Sequence, residues 1–372
     1  MRQLSLFLVI TLFWGCETTT NSKAAEEPTG VSYAERFSVE EHEGYKIIRI
    51  NKPWNGSDEE IAYLLYDGVI PAGIDESAYI MVPYPVQRIV SNSTTHLAFL
   101  EILGVEDRLV GFADTQYIYS EQINQQVANE QTLEVGNEGQ LDVERILSLE
   151  PDVILAFSSG SENRQLNKLE ELGQTVVMTP DYMEPTILGR AEWIKFIGHL
   201  TGKDKEAEAY FDKVATAYDS LLALVQTEQR PTVFSGSLYG GSWFMPSGNN
   251  YNGLMIQEAG GKYLWSDTEA SGWLNLDFEA VYAKAYEAQY WIGVADYKSL
   301  EAMKNADERY AGFKAYTDGN IYGYTRRTSE RGGNDYFESG NAQPHLLLAD
   351  HVKILHPELL PDYELYYYQQ LQ

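Results

Sequence analysis

Hydrophobic and polar positions alternate in short runs between residues 31 and 85. The clearest runs cover residues 45–50, 62–66 and 79–82, and the turn signals Asn55-Gly56 and Asp67-Gly68 separate them. Alternation with a period of two is typical of half-buried strands. We therefore predict a β-rich extension over residues 31–86.

From residue 87 the pattern changes to short apolar strands that alternate with amphipathic helices. Strands are predicted at 88–91, 109–112, 153–157 and 175–178, and helices at 96–103, 143–149 and 165–172. Strands that alternate with helices imply parallel sheets with right-handed crossovers. Residues 87–186 are therefore predicted to form an amino-terminal α/β lobe.

One long helix is predicted next, within a helical segment at 187–229. Its apolar residues recur at spacings of three and four, namely Ala207, Tyr210, Phe211, Val214, Tyr218, Leu221, Leu222 and Val225. A second strand–helix run follows over 230–372. The predicted fold class is α/β, with two Rossmann-like lobes joined by a long α-helix and a ligand cleft between the lobes.

A short motif occurs once in each lobe. Its copies are Leu141-Asp142-Val143-Glu144-Arg145-Ile146 and Leu276-Asp277-Phe278-Glu279-Ala280-Val281. Each copy opens a helix and is followed by an apolar strand, which indicates two similar halves. Each half therefore carries a Glu in the first turn of a helix.

The amino terminus has the features of a lipoprotein signal. A basic start and a short apolar run end at Gly15-Cys16, and Cys16 is the only Cys in the chain. We predict a signal peptide over 1–15, lipidation of Cys16, and a flexible tether over 16–30. The alternative is an ordinary secretory signal with an incidental Cys.

Composition narrows the function further. The 372 residues carry a net charge of −28, which argues against nucleic-acid binding. The six His are scattered without metal-ligand spacing, and no nucleophile or phosphate-binding motif is present. The sequence therefore predicts no catalytic residue, no direct metal ligand and no cofactor. The 27 Tyr suit either ligand clefts or half-buried strands.

Three segments together resemble a known family. QRIVSNSTTHLAFLEILGVEDRLVGFAD, LDVERILSLEPDVILAF and LNKLEELGQTVVM are similar to class III, helix-linked periplasmic substrate-binding proteins of ABC importers for iron–siderophores, haem and cobalamin. The carboxy-terminal stretch GGNDYFESGNAQPHLLLADHVKILHPEL also fits that family. The resemblance implies that Glu144 and Glu279 dock onto Arg pockets of the permease. The alternative is that each Glu only complements a helix dipole.

Strand-end loops and the resemblance together suggest the ligand contacts. The candidates are Thr95, His96, Tyr117, Phe157, Ser158, Trp243, Asn250, Trp273, Arg326, Arg327 and Arg331. Aromatic rings suit a tetrapyrrole or catecholate, and Arg suits their anionic oxygens. The alternative for the Arg cluster is a solvated loop. Glu138 stands where cobalamin-binding relatives have a Trp, which argues against cobalamin.

These features together predict a binding protein. We expect a monomeric, periplasmic, membrane-anchored lipoprotein that captures a ferric siderophore and delivers it to an ABC permease dimer in the inner membrane. The alternatives are a haem or cobalamin receptor of the same family, a lipoprotein hydrolase, or an adhesion lipoprotein. An open cleft between the lobes would support the receptor, whereas a closed pocket with paired carboxylates would favour the hydrolase.

Overall fold

The computed structural model describes residues 30–137, 139–158, 163–225, 229–270 and 272–372. The predicted signal peptide, Cys16, nearly all of the tether and Glu138 lie outside these ranges. The extension is a four-stranded sheet whose strands are β1 (Phe37–His42), β2 (Tyr45–Asn51), β3 (Glu60–Tyr66) and β4 (Ile80–Pro83). Its order is β1-β2-β3-β4, antiparallel except for the parallel pair β3–β4.

The first lobe is built around a parallel sheet. Its strands are β5 (Ile89–Ser91), β6 (Leu109–Phe112), β7 (Leu133–Glu134), β8 (Gly136–Asn137), β9 (Gln140–Leu141), β10 (Val153–Ala156) and β11 (Val176–Met178). Its helices are α1 (Thr94–Ile102), α2 (Glu121–Ala128), α3 (Val143–Ser148) and α4 (Arg164–Glu171). The main sheet has the order β11-β10-β5-β6-β7, and β8 and β9 form a small hairpin.

Two helices connect the lobes: α5 (Ile187–Thr201) and α6 (Asp204–Leu224). The apolar face of α6 contacts two cores. Ala207 and Phe211 belong to the core that the first lobe shares with the extension. Val214 and Tyr218, one to two turns later, belong to the core of the second lobe. The helix α6 is therefore the long helix predicted from the spacing of apolar residues, and it packs against both lobes.

The second lobe contains two sheets. Its strands are β12 (Thr232–Phe234), β13 (Ser237–Tyr239), β14 (Ser242–Pro246), β15 (Lys262–Tyr263), β16 (Trp273–Leu276), β17 (Tyr290–Ile292), β18 (Ile321–Gly323) and β19 (Gln369–Gln370). Its helices are α7 (Tyr251–Glu258), α8 (Phe278–Ala285), α9 (Leu300–Ala306), α10 (Lys314–Thr317), α11 (Asp335–Glu338) and α12 (Pro344–Leu355). The main sheet has the order β15-β12-β17-β18-β19, with only β19 antiparallel to its neighbour. The second sheet has the order β13-β14-β16.

The extension is fixed to the connecting helices by a shared core and by buried carboxylates. The ring of Phe37 packs edge-on against Trp193 of α5, with ring centroids 4.9 Å apart. The Glu192 carboxylate accepts hydrogen bonds from the backbone N–H groups of residues 32–34 at 2.6–3.1 Å. Glu184 accepts in the same way from residues 35 and 36. The start of the described chain is therefore bonded directly to α5 and the loop before it.

The predicted fold class is confirmed, since two α/β lobes are joined by a long helix with a cleft between them. In the described part of the chain, no helix is long and apolar enough to cross a membrane.

Candidate ligand-binding cleft

A cavity of about 450 Å³ lies between the two lobes. Its lining comes from loops after β5, β6 and β10 in the first lobe and from loops after β17 and β18 in the second. The lining residues are Asn92, Ser93, Thr94, Phe112, Ala113, Asp114, Tyr117, Phe157, Asp296, Lys298, Thr325, Thr328, Gly332, Asn334 and Phe337. The carboxyl ends of parallel strands thus form both walls, as expected for open α/β sheets.

Two smaller cavities of about 190 and 220 Å³ continue this space. Phe337, which is half exposed, lines all three cavities. Tyr251 and Tyr336 line both smaller ones. The three cavities therefore form one interlobe cleft with several aromatic rings in its walls. Such walls offer large apolar faces to a ring-bearing or bulky ligand.

A hydrogen-bond pair holds the first-lobe wall in place. The Asn92 side chain bonds both backbone groups of Phe157, accepting from its N–H at 2.7 Å and donating to its carbonyl at 2.9 Å. The Phe157 ring then packs edge-on against Tyr182, with ring centroids 4.9 Å apart. The Tyr182 hydroxyl donates to the Ser158 carbonyl at 2.9 Å. Phe157 lines the cleft as predicted, and Ser158 contributes its backbone to this wall.

The second-lobe wall corrects one predicted contact. Trp243 is fully buried in the core, and its indole N–H donates to the Ser235 carbonyl at 3.0 Å. Successive residues of a strand point to opposite faces, so Phe244 and Pro246 are the β14 residues that line the cleft. Trp273 stands opposite Pro246 on β16, lines the same cavity and is 58 % exposed.

Two strand ends in the cleft have left-handed backbone. Asp114 follows β6 with φ of 57°, and Ala295 follows β17 with φ of 49°. Non-glycine residues adopt this conformation at a cost, and they are found most often at functional sites. The Asp114 N–H is held by the Gly136 carbonyl at 2.8 Å. Each lobe therefore uses a strained strand end to form the cleft, at Asp114 and beside Asp296.

The base of the cleft is polar and largely buried. The Thr95 hydroxyl donates to the Asp181 carboxylate at 3.2 Å. Burial raises the pKa of Asp181 to about 6, against the opposing influence of the Arg190 guanidinium and the Thr95 hydrogen bond. Arg190 stacks on the Tyr251 ring at 3.8 Å and donates to the Tyr182 carbonyl. A predicted contact, Thr95, thus lies in this base together with the Asp181 carboxylate and the Arg190 guanidinium, which the sequence did not suggest.

A buried carboxylate joins the lobes beside the cleft. Glu338 of the second lobe accepts hydrogen bonds from the backbone N–H groups of Tyr119 at 2.6 Å and Ser120 at 2.8 Å. Burial raises the pKa of Glu338 to about 7. Gly333 lies so near the first lobe that a Cβ there would be 2.3 Å from the Ile118 carbonyl oxygen. We call these contacts the lobe clasp, defined as Gly333 and Glu338 against residues 118–120.

His96 and Asn250 are buried beneath the cleft and are not among its lining residues. His96 is bonded to the Ser91 hydroxyl through Nδ1 at 2.8 Å, and burial lowers its pKa to about 3. Asn250 caps α7 by accepting from the Asn252 N–H at 3.0 Å. Both predicted contacts are therefore corrected to structural positions. A polar residue at the start of a helix can serve the helix itself as well as a ligand, and the sequence alone does not distinguish the two roles.

The three predicted Arg also lie outside the lining of the cleft. Arg327 pairs with Asp335 at 2.5 Å and stacks on the Tyr366 ring at 4.3 Å. Arg326 is exposed and lies 3.7 Å from Glu364. Arg331 is exposed at the rim, where it donates to Asn124 of the first lobe at 3.1 Å. The sequence placed them correctly in one loop but could not show their partners.

Four of the predicted ligand contacts, Thr95, Tyr117, Phe157 and Trp273, lie in the lining of the cleft. Other lining residues were not predicted: Asp181, Tyr182, Phe244, Asp296, Lys298, Tyr336 and Phe337. Asp296 and Lys298 follow a predicted strand, so the strand-end rule applied to Phe157 would have found them. Phe337 carried no such signal, because it lies in the short helix α11 and not directly after a strand.

Glu144 and Glu279 lie in matching positions on the two lobes. Glu144 is exposed in the first turn of α3, and Glu279 is 81 % exposed in the first turn of α8. Arg309 lies 3.6 Å from Glu279. Neither carboxylate lines the cleft, so both are available to a partner that approaches the lobes from outside.

Among the described residues, only one group of three or more potential metal ligands comes together. It consists of Glu41, His199 and Asp204, at the junction of the extension and the connecting helices. The Lys46 ammonium lies within this group and pairs with Asp204. Because a cation is already present there, the group is an ion-pair network that fixes the extension. The cleft itself offers a metal ion no comparable set of described ligands.

The sequence between residues 89 and 328 matches the family described as periplasmic binding protein. The chain belongs to that family, and the helix-linked class that its sequence resembles is confirmed. An uncharacterised lipoprotein of Methanocaldococcus jannaschii is 28% identical over 396 residues, covering 98% of this chain and 97% of that protein. A vitamin B12-binding protein of Vibrio cholerae is 33% identical over 119 residues, 32% of this chain and 40% of that protein.

The fold is shared with solved binding proteins. The periplasmic haem-binding protein of Roseiflexus sp. RS-1, in its apo form, superposes with a TM-score of 0.57 at 18% identity. That match covers 73% of this chain and 99% of the haem-binding protein.

Proposed function

We propose that this protein is the substrate-binding lipoprotein of an ABC importer, with a ferric siderophore as its substrate. The observation that carries the proposal is the interlobe cleft, which is open, aromatic and formed by strand ends of both lobes. A ligand between the lobes contacts both of them and can stabilise one relative orientation. The long helix α6 and the lobe clasp keep the lobes close together, so only a modest closure is expected.

The composition of the cleft favours a preformed complex over a free ion. Its walls carry the rings of Tyr117, Phe157, Trp273 and Phe337, while the described residues place no cluster of metal ligands there. A bare ferric ion would need several anionic oxygen ligands from the protein. A chelate brings its own ligands and presents an organic surface, which aromatic side chains can contact.

Delivery of the ligand requires a permease in the membrane, and two features of the protein support such a partner. Glu144 and Glu279 are exposed at the starts of matching helices on separate lobes. Two separated charges can orient a docking protein without high affinity. A curated relative is named as a lipoprotein, in agreement with lipidation of Cys16 and a periplasmic, membrane-anchored location. We propose a monomer that docks onto a permease dimer in the inner membrane and catalyses no reaction.

The proposal is tested by titrating the purified protein with ferric siderophores, haemin and cobalamin while tryptophan fluorescence is recorded. Among the described Trp residues only Trp273 is exposed, and it lines the cleft. Binding in the cleft should therefore quench Trp273, and Trp273→Phe should remove most of the response. The core variant Trp265→Phe, whose side chain is buried, should keep it.

A saturable response to a ferric siderophore would support the proposed substrate. Saturable binding of haemin or cobalamin alone would replace the substrate but retain the receptor. If no chelate binds, and a labelled ester or glycoside is cleaved at a rate that Asp296→Asn reduces, the protein is a hydrolase instead.

A further inference from the structure

We infer that the cleft selects metal chelates whose net charge is zero or positive, and that Asp296 is a determinant of this specificity. The inference rests on the proposed function and narrows its substrate to one electrostatic class. Hydroxamate-type ferric complexes belong to that class, because three singly charged hydroxamates balance the ferric charge and a pendant amine makes the complex cationic. Ferric tris-catecholates are strongly anionic, and haem carries two carboxylates.

The first argument is the shortage of available cations. Among the described residues that line the three cavities, the Lys and Arg side chains are Lys298 and Arg190. Arg190 is buried, stacked on Tyr251 and adjacent to the Asp181 carboxylate. Its guanidinium donates to the Tyr182 carbonyl, and the nearby Asp181 carboxylate opposes part of its charge. His351 lines the second cavity but is buried, and burial lowers its pKa to about 4.

The second argument comes from the Arg loop. An anionic chelate would need guanidinium groups that point into the cleft. Arg327 instead pairs with the buried carboxylate of Asp335, and Arg326 lies beside Glu364. Arg331 is at the rim and is bonded to Asn124. Each Arg of this loop therefore contacts another group of the protein, and none of the three is among the described residues that line the cleft.

The third argument is the position of two carboxylates. Asp114 and Asp296 line the same cavity from opposite lobes, each at or next to a left-handed strand end. A like-charged ligand between them would be repelled from both walls, whereas a cationic periphery would be attracted to both. Asp296 is exposed within the cavity, so its charge acts directly on what enters.

The test compares complexes of the same metal that differ in charge. The mature protein is titrated with a cationic ferric trihydroxamate, a neutral ferric trihydroxamate, a ferric tris-catecholate and haemin. We expect the tris-catecholate and haemin to bind at least about tenfold more weakly than the hydroxamates. The affinity for the cationic complex should fall as salt is added, because the interaction is partly exposed.

Two substitutions in the cleft give opposite expectations. Asp296→Asn should weaken binding of the cationic complex relative to the neutral complex by about fivefold, while Lys298→Gln should shift this ratio of affinities in the opposite direction. Asp318→Asn is the matched control, since Asp318 precedes β18 and lies at the strand end remote from the cleft.

Equal or tighter binding of the tris-catecholate or haemin would overturn the inference and leave the receptor proposal standing. An unchanged affinity of Asp296→Asn for the cationic complex would also overturn it. If none of the four complexes binds, the proposed function fails, and this inference fails with it.

Discussion

At the scale of single residues, this molecule depends on buried carboxylates that accept backbone hydrogen bonds. Glu192 is fully buried on α5, pairs with Lys195 at 3.1 Å and holds residues 32–34. Glu338 does the same for residues 119 and 120 across the lobe boundary. A carboxylate in such a place is costly to bury, yet removing it leaves several donors without partners.

Glu192→Ala should lower the free energy of unfolding by at least about 3 kcal/mol, because it leaves Lys195 and three backbone N–H groups in a buried site. Urea unfolding measured by circular dichroism gives this difference. Glu208→Ala is the control, since Glu208 pairs with the same Lys195 but its side chain is half exposed. That change should cost less than about 1 kcal/mol. Equal costs would contradict the assigned role of Glu192.

Glu338→Gln should reduce the dependence of stability on pH. The pKa of Glu338 is raised from 4.5 to about 7 by burial, with Asp335 and Glu101 adding to the effect. A raised folded-state pKa stabilises the protein fully below the ordinary value, and this contribution is lost as pH rises through the folded value. The stability of the native protein relative to the Gln variant should thus fall between pH 4.5 and 7, by on the order of 3 kcal/mol.

The measurement is a set of urea titrations of both proteins across that range. Other buried acids, such as Asp181, titrate in both proteins and cancel in the difference. A difference that stays constant with pH would mean that Glu338 ionises normally in the folded state.

At the scale of elements, the cleft is shaped by strand ends and by the connection between β18 and α11. This connection carries Thr325, Thr328, Gly332 and Asn334 into the cavity lining. It also places Gly333 against the first lobe. The same connection therefore forms a wall of the cleft and half of the lobe clasp. The width of the cleft depends on how closely this connection packs against the first lobe.

Gly333→Ala should loosen the lobe clasp. The added Cβ would lie 2.3 Å from the Ile118 carbonyl oxygen and 2.7 Å from the Tyr119 nitrogen, both backbone atoms. We expect a loss of about 2 kcal/mol in stability and weaker ligand binding, as read from thermal unfolding and from fluorescence titration. Gly272→Ala adds the same group where no atom lies within 4 Å, and it should change neither property.

The elements differ in how far the sequence predicts them. Strands and helices of the first lobe follow clear periods, and α12 begins and ends where its pattern does. The helix α5 gave no periodic signal, because every residue except His199 is buried and a polar face is missing. The strands β13 and β14 were not predicted; the turn between them contains Gly240 and Gly241, which both have positive φ.

The cleft was predicted less completely than the fold, because many of its contacts depend on tertiary packing and not on local sequence. Strand-end rules located Phe157 and Tyr117, which depend on local order along the chain. They failed for Trp243, because the alternation of side chains along β14 buries Trp243 in the core and brings Phe244 and Pro246 to the cleft. They also failed for the Arg loop, since ion pairs with Asp335 and Glu364 are set by tertiary packing.

At the scale of the whole molecule, three parts act as one body. The helix α6 packs against both lobes, the lobe clasp joins them beside the cleft, and the extension covers α5. Glu144 and Glu279 then project from opposite halves of a nearly rigid frame. Two fixed charges on such a frame can define the orientation of a docked permease.

Reversing both charges, in Glu144→Arg with Glu279→Arg, should abolish uptake of the ligand while leaving its affinity intact. Neither side chain lines the cleft, and each exposed pair alone contributes less than about 1 kcal/mol, so the single variants should only slow transport. Uptake by cells and fluorescence titration of the purified protein measure the two effects separately.

The control is Glu171→Arg with Glu301→Arg, which makes the same charge change on other exposed helices of the two lobes. This variant should transport normally. Normal uptake by the Glu144 and Glu279 double variant, or loss of ligand binding in it, would mean that these carboxylates do not dock the permease.

The attachment of the extension to α5 also determines when the chain can fold. Residues 32–36 are held by carboxylates that lie 148–160 positions later in the sequence. During synthesis the extension emerges first, but the helix that covers its apolar face emerges only after residue 201. Contacts of such long range form slowly. The amino-terminal sheet can therefore bury its apolar face only after more than half of the polypeptide exists, and until then that face stays exposed on the nascent chain.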